Sequence, residues 1–183
     1  MKFCSNCGQL VELKIPEGDD KPRFVCDDCN TIHYQNPNIV TGCLPIWEDK
    51  VLLCKRAIAP RIGYWNVPGG YMENGERVEV GAEREVWEEA CIKVKATRLQ
   101  TVFSIARINQ VYMHFLADMP DLNFSAGVES LEVAMFTEDE IPWDDIAFSS
   151  STFTLKTYFA DRKKGVQQVH ISNYEDFEKI QNV

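Results

Sequence analysis

Hydrophobic and polar positions divide the chain into two stretches of different character. Through residues 1–35 apolar side chains stand isolated among polar ones, and Pro16-Glu17-Gly18-Asp19-Asp20 reads as a loop. From Ile39 the pattern tightens. Residues 39–47 and 51–55 are apolar runs of strand length on either side of Glu48-Asp49-Lys50. Residues 56–64, with Pro60 and Gly63, are irregular; 65–70 end a short strand in a glycine turn, and 72–77 form a loop about Gly75. Val78, Ala82, Val86 and Ala90 then recur every four positions, which predicts a helix over 78–91 with one apolar stripe. Strands are predicted at 96–105, 110–117 and 131–136, and a closing helix at 148–162. The remainder reads as a polar tail with one strand at 166–171. Strands interrupted by one strong helix predict an α+β sandwich on a mixed sheet. The expected division is a ribbon over 1–35, a main domain over 36–165 and a C-terminal tail over 166–183.

The length of 183 residues, 45% of them hydrophobic, allows one domain with a full core and a small appendage. No apolar run approaches the roughly 20 residues that span a bilayer. The opening Met1-Lys2-Phe3-Cys4-Ser5 lacks the apolar run of a secretory signal, so a cytoplasmic protein without a membrane partner is expected. The formal net charge of −9 disfavours nucleic acid as a partner. The same charge repels an anionic small substrate unless a divalent cation intervenes.

Two cysteine pairs answer to a different cation. Cys4-x2-Cys7 and Cys26-x2-Cys29, separated by 18 residues, fit the spacing of a four-thiolate zinc site. Two such knuckles complete a tetrahedron and leave no open position, so the zinc is structural. His33, near the second knuckle, is read as a surface residue. Glu12, Glu17, Asp19, Asp20, Asp27 and Asp28 surround the site and disfavour phosphate contacts, leaving support of the main domain or of a dimer as the ribbon's role. Cys43 and Cys54, in apolar runs, read as small buried hydrophobes.

Within the 78–91 helix, Glu85, Glu88 and Glu89 stand at i, i+3 and i+4 and fall on an arc of roughly 100°. Each like-charge pair costs about 0.2–0.5 kcal/mol, and Glu88 and Glu89 lie in the last turn, where the helix dipole disfavours anions. Carboxylates placed against their own interest suggest a site for Mg²⁺ or Mn²⁺, whose preferred ligands are oxygens. Gly81, one turn earlier between Glu85 and Glu88, costs about 1 kcal/mol in a helix. It clears room either for a metal and phosphate or for close helix packing.

Residues 70–92 resemble the Nudix box, G-x5-E-x7-R-E-U-x-E-E-x-G-U, with U bulky and apolar. Gly70, Glu76, Arg84, Glu85, Val86, Glu88, Glu89 and Ile92 match in register. Cys91 replaces the final glycine, so the left-handed turn after the helix carries strain of about 1–2 kcal/mol or takes another form. The paired cysteines, Tyr34-Gln35-Asn36-Pro37, residues 50–56 and 65–75, Glu129-Ser130-Leu131-Glu132 and Asp139-Glu140-Ile141-Pro142 extend the resemblance. Together they look like a zinc-ribbon subgroup that includes plant chloroplast enzymes acting on FAD and ADP-ribose.

The resemblance implies an α/β/α Nudix sandwich and hydrolysis of a nucleoside diphosphate derivative at its pyrophosphate by metal-activated water, releasing AMP. It implies Glu85 and Glu89 as ligands of Mg²⁺ or Mn²⁺, with Glu88 a ligand or water-positioning group and the Gly69 carbonyl completing the shell. Glu76 and Arg84 would form an ion pair holding loop to helix. Glu129 would be a further ligand or base, unless it is an ordinary loop carboxylate, with Glu132 as its rival. A homodimer is the expected assembly. Trp65, Phe103 and Tyr112 are candidates to stack on a base. NADH pyrophosphatases carry S-Q-P-W-P-F-P-x-S after the box. Residues 103–110 lack it, which ranks NADH below ADP-ribose or FAD. A triphosphate-sanitising enzyme and a non-catalytic nucleotide sensor are the remaining alternatives.

Overall fold

The computed structural model describes residues 1–181, and side chains through Phe177. The chain forms two compact units, Met1–Pro37 and the remainder from Asn38. In the first, β1 (Glu12–Lys14), β2 (Arg23–Val25) and β3 (Ile32–His33) make a small antiparallel sheet in that order.

The second unit is built on β4 (Asn38–Trp47), buried on both faces from Val40 to Pro45. Strands β5 (Lys50–Arg56), β6 (Trp65–Asn66), β7 (Gly69–Tyr71), β8 (Lys95–Ile105), β9 (Gln110–Asp118), β10 (Ser130–Phe136) and β11 (His170–Asn173) complete an eight-stranded mixed sheet. Its main path runs β10-β5-β4-β9-β8-β11, with β6 beside β5 and β7 beside β4. β4 runs parallel to β9 but antiparallel to β5 and β7.

Alternation along the strands fills two cores. Cys43, Leu52, Cys54 and Ala117 face Ala82, Val86 and Ala90 of α1 (Val78–Ala90). Their neighbours Leu44, Val51, Leu53 and Leu116 face Leu155, Tyr158 and Phe159 of α2 (Ser149–Lys164). Each fully buried aliphatic contributes about 1.5–3 kcal/mol, so a one-residue slip would forfeit both cores at once. Cys43 and Cys54 are packing groups in these layers, and burial pushes the Cys43 thiol up to about 12.

β4 and β5 pair only next to their turn, at Ile46–Val51 and Trp47–Lys50. Beyond it they splay, β7 taking the edge of β4 and β6 that of β5. A Cβ on Gly42 would overlap the Pro68 carbonyl, and one on Gly69 would sit 2.9 Å from the Thr41 carbonyl oxygen. This wedge requires backbones closer than side chains allow.

The stretch after residue 165 holds more than its polar composition suggests. The strand expected at 166–171 lies at His170–Asn173, pairs in parallel with β8, and leads into α3 (Tyr174–Gln181). Buried Asp161 holds it there, accepting hydrogen bonds from Gln100, Gln168 and His170. Burial alone would raise the Asp161 carboxyl, but these donors outweigh it and hold the carboxyl below its ordinary value. Phe177 packs edge-on to Phe103 and Phe153. No helix among the described residues is long and apolar enough to cross a membrane.

Helix α1 ends on Cys91 at φ 52°, ψ 26°, so the left-handed turn is kept without its glycine. Cys91→Gly is expected to stabilise the protein by about 1 kcal/mol and raise Tm by roughly 2–4 °C in a thermal melt.

Candidate active site

Helix α1 lies over the wedge and presents its carboxylates to β7. Glu85 and Glu89, one turn apart, are each 8% exposed, whereas Glu88 stands at the open edge. A Cβ on Gly70 would meet the Glu85 carboxylate at 2.5–2.7 Å, so the bare glycine is what admits that carboxylate against the sheet. The Gly69 amide donates to Glu89 Oε1 at 3.4 Å.

Burial dominates the electrostatics. It pushes the Glu89 carboxyl up to about 8; the Gly69 amide and the charge of Arg56 offset this only in part, and Glu85 and Glu129 add to it. Burial raises Glu85 as well, against the Arg84 guanidinium beside it. Two carboxylates withdrawn from water need a positive charge nearby. Arg84 supplies it. One edge of its guanidinium grips Glu76, through Nε at 3.2 Å and Nη2 at 2.9 Å, and Nη2 also donates to the Tyr71 carbonyl. Nη1 bridges Glu85 Oε1 at 2.8 Å and Glu88 Oε2 at 2.9 Å. The bidentate pairing holds the Glu76 carboxyl below its usual range.

A groove of about 1130 Å³ opens beside them. Glu85, Glu88, Glu89 and Glu129 stand on it together with Gly69, Gly70 and Arg84, and Glu132 does not. Glu132 instead pairs with Lys55 at 3.4 Å across β10 and β5. Glu129 is exposed, and its backbone carbonyl accepts from the Ala57 amide at 2.8 Å. Among the described residues, the carboxylates do not converge within 4.8 Å as a set of three or more. Their mutual repulsion and the Arg84 amino group between Glu85 and Glu88 account for the spacing. The donor set nevertheless fits a hard divalent cation: all oxygens, two of them desolvated, in a groove with room for waters.

Several expectations change. Gly81 makes way not for metal or phosphate but for the Glu76 carboxylate, 2.5 Å from where its Cβ would lie, and for Thr41 of β4 at 3.1 Å. Phe103 is fully buried in the aromatic cluster with Phe177 and Phe153, and Trp65 is buried edge-on to Phe136. Tyr112 is the remaining candidate of the three, half-buried on the groove and donating to Gln110. Sequence reasoning passed over the Phe124–Gly127 loop, whose Ser125 and Gly127 amides cap the Ala90 and Glu89 carbonyls at 3.1 and 2.9 Å. It also passed over Arg56 and the first turn of α2. A distant loop capping a helix end leaves no local signal, and Arg56, the last residue of β5, lies in a stretch that carries the resemblance but attaches no role to it.

In the N-terminal unit the sulfurs of Cys4, Cys7, Cys26 and Cys29 all lie within 4.8 Å of one another. Cys4 and Cys29 approach to 3.6 Å, and Cys7 and Cys26 to 3.5 Å. His33 is more than a surface residue: its Nε2 lies 3.3 Å from Cys4 Sγ, while Thr31 and Asn6 reach Cys29 at 3.0 and 3.7 Å. Four thiols at these separations, ringed by polar groups, suit a tetrahedral soft cation.

Residues 2–35 match the family described as Nudix N-terminal, and residues 36–155 match the NUDIX domain. The chain belongs to the NUDIX family, in the form that carries this N-terminal zinc ribbon. A NUDIX hydrolase from Nitrosomonas europaea, known as a crystal structure, is 53% identical and superposes with a TM-score of 0.89 over 94% of this chain and 99% of that one. The NAD-capped RNA hydrolase NudC of Photobacterium profundum is 31% identical over 139 residues, 74% of this chain and 49% of that protein. The ADP-ribose pyrophosphatase of Methanocaldococcus jannaschii is 29% identical over 113 residues, 60% of this chain and 67% of that protein. The chain spans about half the length of the NudC relatives it matches.

The raised Glu89 carboxyl has a consequence for stability in magnesium-free buffer. A folded value of about 8 above an unfolded value near 4.5 is a contribution present below pH 4.5 and lost as pH rises through 8. Glu89→Gln, which does not titrate, is expected to exceed wild type by roughly 2–4 kcal/mol at pH 8.5, with the gap closing toward pH 5 in denaturant titrations.

Proposed function

We propose that the groove hydrolyses the diphosphate of a nucleoside diphosphate derivative of the ADP-ribose or FAD type, releasing AMP. The observation that carries this reading is the burial of Glu85 and Glu89 on one wall of a groove large enough for a dinucleotide-like ligand. Glu85, Glu88 and Glu89, with the Gly69 carbonyl, would hold a divalent cation, Mg²⁺ or Mn²⁺. Such an ion neutralises a diphosphate and acidifies water when bound. Arg84, clamped by Glu76 and the Tyr71 carbonyl, is a positioning residue that keeps Glu85 and Glu88 apart and oriented. Glu129, exposed on the groove and without an ion pair among the described residues, accepts the proton of the attacking water. The P–O–P bridge breaks, and its oxygen leaves with the second phosphate.

The fit of NUDIX-family residues 36–155 and the likeness to an ADP-ribose pyrophosphatase support the substrate class. The NudC relatives give NADH a second claim despite the missing tryptophan- and proline-rich stretch. The four cysteines hold a structural zinc. A homodimer in the cytosol belongs to the same proposal, since free thiols suit a reducing compartment.

Magnesium- or manganese-dependent AMP release from ADP-ribose, FAD and NADH ranks the substrates. Glu89→Gln is expected to lower kcat by about 10²–10³-fold. Metal-independent release, or none from any of the three, would sink the assignment. Each chain should carry one zinc by elemental analysis, and a strong chelator should strip amide-exchange protection from β1–β3. A Cys26→Ser variant that still holds one zinc per chain would argue against the four-thiolate site.

A further inference from the structure

The groove has a second chemical pole, formed by the start of α2. This 16-residue helix begins after Phe148, an extended residue at φ −134°, ψ 142°, without a side-chain cap among the described residues. No acidic residue stands in its first turn, Ser149-Ser150-Ser151. Phe148 O accepts from the Ser151 and Thr152 amides. The Ser149 and Ser150 amides belong to the group of N–H donors that a helix leaves without an internal acceptor.

Two further observations point to a ligand there. Ser150 is 1% exposed, its hydroxyl has no hydrogen-bond partner among the described residues, and the residue lines the groove. A buried hydroxyl without a partner costs about 1–3 kcal/mol, an outlay that a bound acceptor would recover. The Arg56 guanidinium lies 5.0 Å from the Phe148 ring, beside the helix start. It donates to the Pro60 and Ile58 carbonyls at 2.8 and 3.4 Å and makes no ion pair among the described residues. A guanidinium fixed by carbonyls keeps its charge available to an incoming anion. Arg56 also acts electrostatically on Glu89, so both poles lie within the span of one ligand.

The geometry points to an anion subsite formed by Arg56, the Ser150 hydroxyl and the free amides of the α2 N-terminus. It takes the phosphate of the ligand that the carboxylate-bound cation does not hold. This rests on the reading of the groove as a site for a nucleoside diphosphate derivative. In that reaction the bridging oxygen leaves as part of a phosphate monoester, and the subsite receives the charge that develops on it. Arg56 then determines specificity for diphosphate-linked ligands over neutral nucleosides and, through its contact with the departing phosphate, contributes to turnover.

Inorganic phosphate is the probe, titrated by calorimetry into zinc-loaded, magnesium-free protein. Arg56→Gln is expected to weaken phosphate binding about tenfold or more, and Ser150→Ala roughly three- to tenfold. Ser150→Ala removes an unpartnered polar group, so its Tm should hold or rise, which separates lost binding from lost folding. Phosphate binding that is absent in wild type, or indifferent to both substitutions, overturns the subsite even if AMP is released from a dinucleotide. Arg56- and Ser150-dependent phosphate binding in a protein that cleaves no dinucleotide supports the subsite and overturns the hydrolase reading alone.

Discussion

Glu85 and Glu89 are carboxylates that the fold takes out of water, and the rest of the catalytic unit is arranged around that withdrawal. Burial disfavours their charged forms by more than a like-charge neighbour would. Arg84 sits between Glu85 and Glu88 because that position lowers the local field, and Glu76 sits behind Arg84 because the guanidinium has a second edge to satisfy. Gly70 is bare because the Glu85 carboxylate fills the volume a side chain would take. The Phe124–Gly127 loop docks on the last carbonyls of α1 and so brings Glu129 to the same groove. A divalent cation would balance this charge arrangement.

The sheet explains why such a site forms here. A strand buried on both faces must hand its edges to neighbours, and β4 hands one edge to β5 and then to β7. The change of partner opens a wedge in the sheet surface. On one side lies α1, rich in carboxylates; the start of α2 lies at the same groove, with hydroxyls and free amides. Opposite polarities across a cleft suit a ligand that is anionic at its centre and bound through a cation on one side only.

The parts legible in the sequence are those whose signal is local. The four-residue recurrence of Val78, Ala82, Val86 and Ala90 marks α1 to within one residue of its observed end, and the long strands β4, β8 and β9 lie where strands are expected at 39–47, 96–105 and 110–117. Glu85 and Glu89 could be placed on one arc, but nothing in their spacing told which would be buried; the glycine strand across from them decides that. α3 went unread although Asn173 and Asp176 form a reciprocal cap at its start, with bonds of 2.7 and 2.8 Å. That pair is a readable helix signal. Its packing partner Phe103 lies more than seventy residues earlier, and no local pattern conveys such a contact. Two of the three base-stacking candidates are taken up by packing for a related reason: Trp65 by the core beneath α2, and Phe103 by the aromatic cluster with Phe153 and Phe177.

The match to the NUDIX domain ends at residue 155, inside α2. The physical unit continues. Tyr158 and Phe159 belong to the core beneath α2, Asp161 ties β11 to the sheet by accepting from three donors, and Phe177 closes the aromatic cluster around Phe103. The length over which this family is recognisable and the length over which this chain can hold itself together are therefore different quantities. Residues carrying no trace of the reaction in their sequence are as much a condition of it as the glutamates.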